Sequence, residues 1–463
     1  MDLLDVLNGY HNTLLPMHMP GHKRNEELAP YLAALTARLD VTEVDGLDDL
    51  HHPNGILRDG MAQTAALWGS RRAFWLVNGS TCGILAGIYA AVPTGGKVIC
   101  ARNCHKSVYN GLSLVQAEPV FLLPETDHLA GISGPISPES VTAALDQNPD
   151  AKLVIITSPT YEGVLSDIAG ICRISHARGV PLLVDEAHGS HLGFGYGFPD
   201  GAVHAGADIV IHSLHKTLPS LTQTAVLHFS GNLIDEHCIE NGLAVFETSS
   251  PSYLLMASIS GCAELIKTRG KELFLAWQDH LKSFYSRTGD LHNLAVMACE
   301  WLRDPSKIVI FTGSAGMTGS ELAEILRKKY HIETEMAAGN YIVAMTGMGD
   351  TAETLGAFAD AVLDIDLHTA KADPEYIPAP VLPERTMTPA KAAYLPNTAV
   401  PLALSAGKIS AEYVWAYPPG VPLIVPGEII SENLLSSIHR YTEMDVCLRS
   451  TQEQLPEVIF ILK

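Results

Sequence analysis

Short, continuous apolar runs at 73–77, 97–100, 120–123, 153–156, 181–184, 208–211 and 225–229 constrain this chain more than any other feature. They do not alternate with polar residues, and Gly, Pro or polar turns bound them, so each reads as a strand buried on both faces. Segments of helical length lie between them, among them 82–92, 137–145 and 168–178. Strands alternating with helices predict an α/β fold, doubly wound around a mostly parallel large-domain sheet. In such sheets the residues that bind and react collect in the loops at the carboxyl ends of the strands.

From 254 to 304 few breakers interrupt a helical pattern, which predicts a long helix linking domains. A strand at 307–311, a helix at 319–330, a strand at 341–345 and a helix at 351–363 then predict a smaller α/β lobe. The proline-dense stretch 373–389 reads as a linker to a last lobe. The expected division is an N-terminal arm 1–30, a large domain 31–305, a small lobe 306–372 and a C-terminal domain 373–463. A chain of 463 residues is too long for one ordinary domain. Although 47% of it is apolar, no run reaches the roughly 18 uninterrupted apolar residues of a membrane helix. The acidic start Met1-Asp-Leu-Leu-Asp5 does not resemble a secretory signal, which makes the cytoplasm the expected location. Eight cysteines without a Cys-x-x-Cys pair suit reduced thiols. A net charge of −21 opposes binding to nucleic acid or to an anionic membrane, and does not oppose a cationic substrate.

The chemistry concentrates after two of the runs, in Val184-Asp-Glu-Ala-His188 and in Ile211-His-Ser-Leu-His-Lys-Thr217. Pyridoxal phosphate needs a lysine amine to hold it as an imine and an acid to keep its pyridine nitrogen protonated, so that the ring withdraws electrons. Lys216 and Asp185 supply that pair. The lysine must be available as an uncharged amine, which burial and nearby positive charge favour. Asn78-Gly-Ser-Thr81 opens a helical pattern and reads as a phosphate cradle, with Ser80, Thr81 and the free amides of a helix N-terminus as donors and Ser213 as a further ligand. Arg102-Asn-Cys-His-Lys-Ser107 brings His105 to the same edge, where its ring can stack on the cofactor. His188 is a candidate for ring contact or proton transfer. The rival use of these side chains is a metal site, from Cys100, Cys104 and His105 or from His188, His191, His212 and His215 at i, i+3 spacing. Asp185 and Lys216 at strand ends are explained better by the aldehyde cofactor.

Taken together, these residues resemble the ornithine, lysine and arginine decarboxylases, fold type I pyridoxal-phosphate enzymes of the aspartate-aminotransferase fold. The resemblance covers nearly the whole chain through Met17-His-Met-Pro-Gly-His-Lys23, Thr42-Glu-Val-Asp-Gly-Leu-Asp-Asp-Leu50, Asn78–Thr81, Arg102–Ser107, Ser158-Pro-Thr-Tyr-Glu-Gly163, Asp185–His188, Ser213–Lys216, Thr248-Ser-Ser-Pro-Ser-Tyr253 and Tyr417–Glu428. It implies that Lys216 forms the imine, Asp185 meets the pyridine nitrogen, His105 stacks on the ring, and Ser80, Thr81, Ser213 and His215 serve the phosphate. It also implies an active site across a two-fold interface, with Ser249 or Ser250 reaching the partner's phosphate, and hence at least a homodimer. The motifs begin almost at Met1, so decamers built through the receiver-like domain of the long bacterial members are not expected. Some relatives carry a tryptophan where His188 stands.

The expected reaction is decarboxylation of a basic amino acid, with Lys216 or His188 protonating Cα. Arginine to agmatine, in polyamine synthesis, is favoured over lysine to cadaverine or ornithine to putrescine, because short members of the family look like arginine decarboxylases. The substrate's cationic tail calls for a carboxylate, from Glu43, Asp45, Asp48 and Asp49 or from Glu412 and Glu428. An aminotransferase or carbon–sulfur lyase of the same fold is the alternative enzyme. It typically uses a small-lobe arginine, and Arg327 alone stands between 307 and 364. A cofactor-binding regulatory protein without turnover is the non-enzyme alternative.

Overall fold

The computed structural model describes residues 3, 13–297, 299–374, 376–377, 379–416, 421–443 and 447–463. Most of the acidic start and residues 417–420 of the last landmark lie outside the described residues. The described arm forms a short strand, β1 (Leu15–Met17). A seven-stranded sheet follows from β2 (Arg72–Leu76), β3 (Lys97–Ala101), β4 (Glu118–Leu122), β5 (Leu153–Thr157), β6 (Leu182–Asp185), β7 (Ile209–Ser213) and β8 (Ala225–Phe229), in the order β2-β8-β7-β6-β5-β3-β4. Strands β4, β3, β5, β6 and β7 pair in parallel, and β8 runs antiparallel between β7 and β2. Every expected strand of the large domain is present to within a residue or two.

The helix Gly79–Ala91 begins three residues earlier than its apolar pattern, so Ser80 and Thr81 lie in its first turn. The periodicity could not reveal this, because the first turn carries small polar residues. Glycines let this helix lie close on the sheet. A Cβ at Gly83 would sit 2.7 Å from Leu76, and one at Gly87 would sit 2.8 Å from Leu183. Either methyl would push the helix, and the phosphate-cradle residues at its start, off the strands.

The long helix spans Tyr253–Arg287 and stops well short of 304. Thr288 caps it, its hydroxyl donating to the Phe284 carbonyl at 2.9 Å, and Gly289 follows. Residues after it turn into the small lobe through β9 (Ala295–Val296), which joins β10 (Lys307–Phe311), β12 (Met336–Ala338) and β13 (Tyr341–Met345) in an antiparallel sheet. The remaining small-lobe strand, β11 (Ile332–Thr334), pairs in parallel with β1 of the arm. The arm is therefore stitched to the small lobe. Lys23 reinforces the stitch from a fully desolvated position, its Nζ donating at 2.6 Å to the carbonyls of both His18 and Met345 and lying 3.7 Å from Asp350.

After the proline-dense stretch, β14 (Asn397–Pro401), β15 (Val414–Ala416), β16 (Val421–Ile424), β17 (Leu448–Ser450) and β18 (Val458–Leu462) form two small sheets around a core that includes Leu402, Val414, Ile424, Ile438 and Ile459. This lobe meets the central sheet through a buried fork, in which Arg102 donates to both oxygens of Glu428 at 2.9 Å. Among the described residues no helix is long and apolar enough to cross a membrane.

Candidate active site

The carboxyl ends of β2, β3, β5, β6 and β7 face one edge, and the loops leaving them carry Asn78–Thr81, His105, Tyr161, Asp185 to His188, and Ser213 to Lys216. Asp185 is the last residue of β6, buried, with Oδ1 accepting from the Ala187 amide at 3.2 Å. Strand β7 ends at Ser213, and a single helical turn, Leu214–Thr217, presents Lys216. That turn is clamped from above. The Gly21 amide of the arm donates to the His215 carbonyl at 2.7 Å, and the Met348 amide of the small lobe donates to the Thr217 carbonyl at 3.0 Å.

Lys216 Nζ lies 2.9 Å from His188 Nε2. Burial, helped by the buried Lys307 nearby, brings the Lys216 amine down to about 8, against the opposing pull of Asp185 and Glu335. Burial and then the Lys216 charge push His188 well below the usual imidazole range, so its ring is neutral near pH 7. His215 is also neutral, lowered by burial to about 4, with Nδ1 on the Thr224 carbonyl at 3.0 Å. His105 caps the helix Lys106–Leu114, its Nδ1 accepting from the Ser107 amide and lying 2.9 Å from the Ser107 hydroxyl, which fixes the ring.

The donor set fits pyridoxal phosphate. Ser213 Oγ is fully buried and has no hydrogen-bond partner among the described residues, a costly arrangement unless an acceptor joins it. The helix Gly79–Ala91 starts at Gly79 with φ +77° and has no side-chain cap from Asn78, leaving the amides of its first turn to an anion. Asp185 and a depressed lysine amine complete the set. Ser249 and Ser250 stand exposed on the loop before the long helix.

Two parts of the sequence reading need correction, both among the carboxylates offered for the substrate tail. Glu428 is consumed by Arg102 and by the Val425 amide at 2.8 Å, and Glu412 by the amides of Phe460 at 2.7 Å and Gln452 at 3.1 Å. Both are 1% exposed, so neither reaches a substrate tail. Asp48 accepts from the amides of Asp49, Asn54, Gly55, Leu57 and Arg58 around the start of the helix Ile56–Trp68, which makes it structural, while Glu43 and Asp45 remain exposed. The histidines of the rival metal spacing divide among separate partners: His188 with Lys216, His191 with Thr217 and Asp304, His212 with Glu186, and His215 with Thr224. Burial pushes the Cys104 thiol up to about 12, which leaves it protonated.

The sequence reading also missed residues. Tyr161 packs its ring on His188 with centroids 4.7 Å apart, and its hydroxyl donates to Glu335, which lies between β11 and β12. Tyr161 stood within a landmark without a role, whereas Glu335 had no local signal at all.

Comparison with known proteins accords with this geometry. Residues 8–287 match the major domain of the Orn/Lys/Arg decarboxylases, and residues 375–456 match their C-terminal domain. The arginine decarboxylase of Halalkalibacterium halodurans is 32% identical over 473 residues, covering 99% of this chain and 96% of that protein. The arginine decarboxylase of Bacillus subtilis is 32% identical over 461 residues, covering 96% and 94%. Among solved structures, the lysine decarboxylase of Francisella novicida superposes with a TM-score of 0.77 at 17% identity, covering 99% of this chain and 82% of that one. The chain belongs to the Orn/Lys/Arg decarboxylase family, fold type I pyridoxal-phosphate enzymes that remove the carboxylate of a basic amino acid.

Proposed function

We propose that this enzyme converts arginine to agmatine for polyamine synthesis, in the cytoplasm and as a homodimer, with Lys216 as the lysine that carries the cofactor. The observation that carries the site assignment is the 2.9 Å contact between Lys216 Nζ and a neutral His188, at the strand edge that also holds Asp185 and the unpartnered Ser213 hydroxyl. The choice of arginine is supported by two relatives named arginine decarboxylases, each 32% identical over at least 96% of the chain. The domain division of the sequence reading stands as a proposal, adjusted so that β9 and the described part of the arm, from 13 on, work as part of the small lobe.

Pyridoxal phosphate, when bound, supplies an electron sink for the pair released as the bond from Cα to the carboxylate breaks. Asp185 would hold the proton on its ring nitrogen, and His105 would lie against the ring. Ser80, Thr81, Ser213 and His215 would bind the phosphate, joined by Ser249 or Ser250 of the other subunit. Lys216, with an amine near 8, delivers a proton to Cα after carbon dioxide leaves. His188 is neutral, so it accepts from Lys216 and aims the amine rather than serving as the acid itself. An aminotransferase would need a small-lobe arginine for the substrate carboxylate, and Arg327 is instead exposed and paired with Glu333.

The test is turnover of arginine, lysine and ornithine, each incubated separately with the cofactor-loaded enzyme, with carbon dioxide and amine both quantified. Stoichiometric agmatine and carbon dioxide from arginine is the expected result. Release of carbon dioxide from lysine or ornithine alone would reassign the substrate, and amino transfer without carbon dioxide would overturn the reaction.

A further inference from the structure

Glu335 is half-buried at the small-lobe side of the pocket, held by two neutral donors: the Met19 amide at 2.9 Å and the Tyr161 hydroxyl. Both donors belong to segments that touch the Lys216 turn. The arm bonds to it through Gly21, and Tyr161 reaches it through the His188 ring. Two neighbouring carboxylates already have cations, Asp350 at 3.7 Å from Lys23 and Asp304 at 3.6 Å from Lys307, and Asp185 is assigned to the cofactor. Among the described residues Glu335 makes no ion pair of its own. A carboxylate has about four acceptor sites, and two are used here. The two that remain match the parallel donors that a guanidinium presents to a carboxylate.

We infer that Glu335 is the carboxylate that receives the cationic tail of the substrate, an assignment that rests on the decarboxylase reading above. Lys216 ceases to offer a free ammonium once it carries the cofactor. The cations still acting on Glu335 are then Lys23 and Lys307, which lie in direct pairs with Asp350 and Asp304, and a guanidinium or ammonium entering the pocket gives Glu335 a direct partner of its own. Glu412 and Glu428 are saturated, and Glu43 and Asp45 sit exposed on the segment before the helix Ile56–Trp68.

The experiment compares kcat/KM for arginine with that for citrulline, whose side chain has the same length and ends in a neutral urea, and measures agmatine affinity by calorimetry. In Glu335→Gln the arginine-to-citrulline ratio falls roughly ten- to hundredfold, as expected for losing a hydrogen bond to a charged group, and agmatine binding weakens by a similar factor. In Tyr161→Phe, which keeps the carboxylate, the ratio stays near the wild-type value even if both substrates slow. If Glu335 merely braces the arm and Tyr161, Glu335→Gln slows both substrates alike and the ratio holds, which overturns the inference. So does a ratio that collapses only in Glu43→Gln or Asp45→Asn. Should Glu335→Gln fail to fold by circular dichroism, Glu335→Asp decides, because it retains the charge and must retain the preference for arginine. A wild-type enzyme that releases carbon dioxide from no basic amino acid overturns the underlying reading, and that result is read separately from the variants.

Discussion

Replacing Glu428 by glutamine tests whether this residue is a structural clamp or part of the substrate site. The substitution preserves shape and removes the anion from a buried pair whose side chains are 6% and 2% exposed. The Arg102 guanidinium is then left desolvated, with the Leu423 carbonyl at 3.3 Å and the Phe121 ring face at 4.8 Å still in contact and Arg385 over the same ring at 5.7 Å adding unbalanced positive charge. Breaking a buried pair by removing one partner costs about 3–5 kcal/mol. At about 2 °C per kcal/mol for a large domain, the first melting transition falls by roughly 6–10 °C. A multi-lobed chain does not melt in one step, so calorimetry is combined with limited proteolysis that reports release of the C-terminal lobe. The double variant Arg102→Met, Glu428→Leu recovers most of the loss, since apolar groups of similar volume tolerate such a site better than one orphaned charge. At temperatures where Glu428→Gln is folded, its KM for substrate is unchanged. A transition within about 1 °C of wild type, or a tenfold rise in KM without any loss of stability, refutes the reasoning.

Two further outcomes follow from the site. Cofactor capture by the cofactor-free protein uses the neutral Lys216 amine, and a pKa lowered to about 8 means the proton leaves at lower pH than in an ordinary lysine. The stopped-flow capture rate therefore rises about tenfold per pH unit up to about 8 and levels off above it, whereas a midpoint near the usual lysine value of about 10.4 contradicts the assignment. Ser213→Ala removes a hydroxyl that has no partner in the described structure, so the melting temperature of the cofactor-free protein stays the same or rises, while the dissociation constant for pyridoxal phosphate increases roughly tenfold. A destabilised cofactor-free protein with unchanged cofactor affinity would count against a phosphate role.

The central sheet is legible in the sequence because strands buried on both faces must be apolar throughout, and β10, the helix Gly319–Tyr330 and β13 fall on the residues their patterns predict. Local pattern fails where pairing is long-range. Strand β1 finds β11 across more than three hundred residues, and the segment His331-Ile-Glu-Thr-Glu-Met336 is too short and too charged to read as a strand. The long helix ends well before 304 because Thr288 caps it and Gly289 follows, a stop signal that a pattern of apolar residues does not register. The same division holds at the site. Asp185, Lys216 and Ser213 announce themselves by type and by position after apolar runs. Glu428 and Glu412 looked available because a sequence does not show that Arg102 and the backbone amides of Gln452 and Phe460 already occupy them, and Glu335 was invisible because its neighbours come from Met19 and Tyr161.

The assignment on which the whole mechanism depends is that of Lys216. Reducing the cofactor-loaded enzyme with borohydride and mapping the peptides by mass spectrometry identifies the lysine that becomes covalently attached. The pyridoxyl mass is predicted on Lys216, and Lys216→Ala is predicted to lose both that label and the release of carbon dioxide. Label on Lys23 or Lys307, the other buried lysines of this region, or full decarboxylation by Lys216→Ala, would contradict the account.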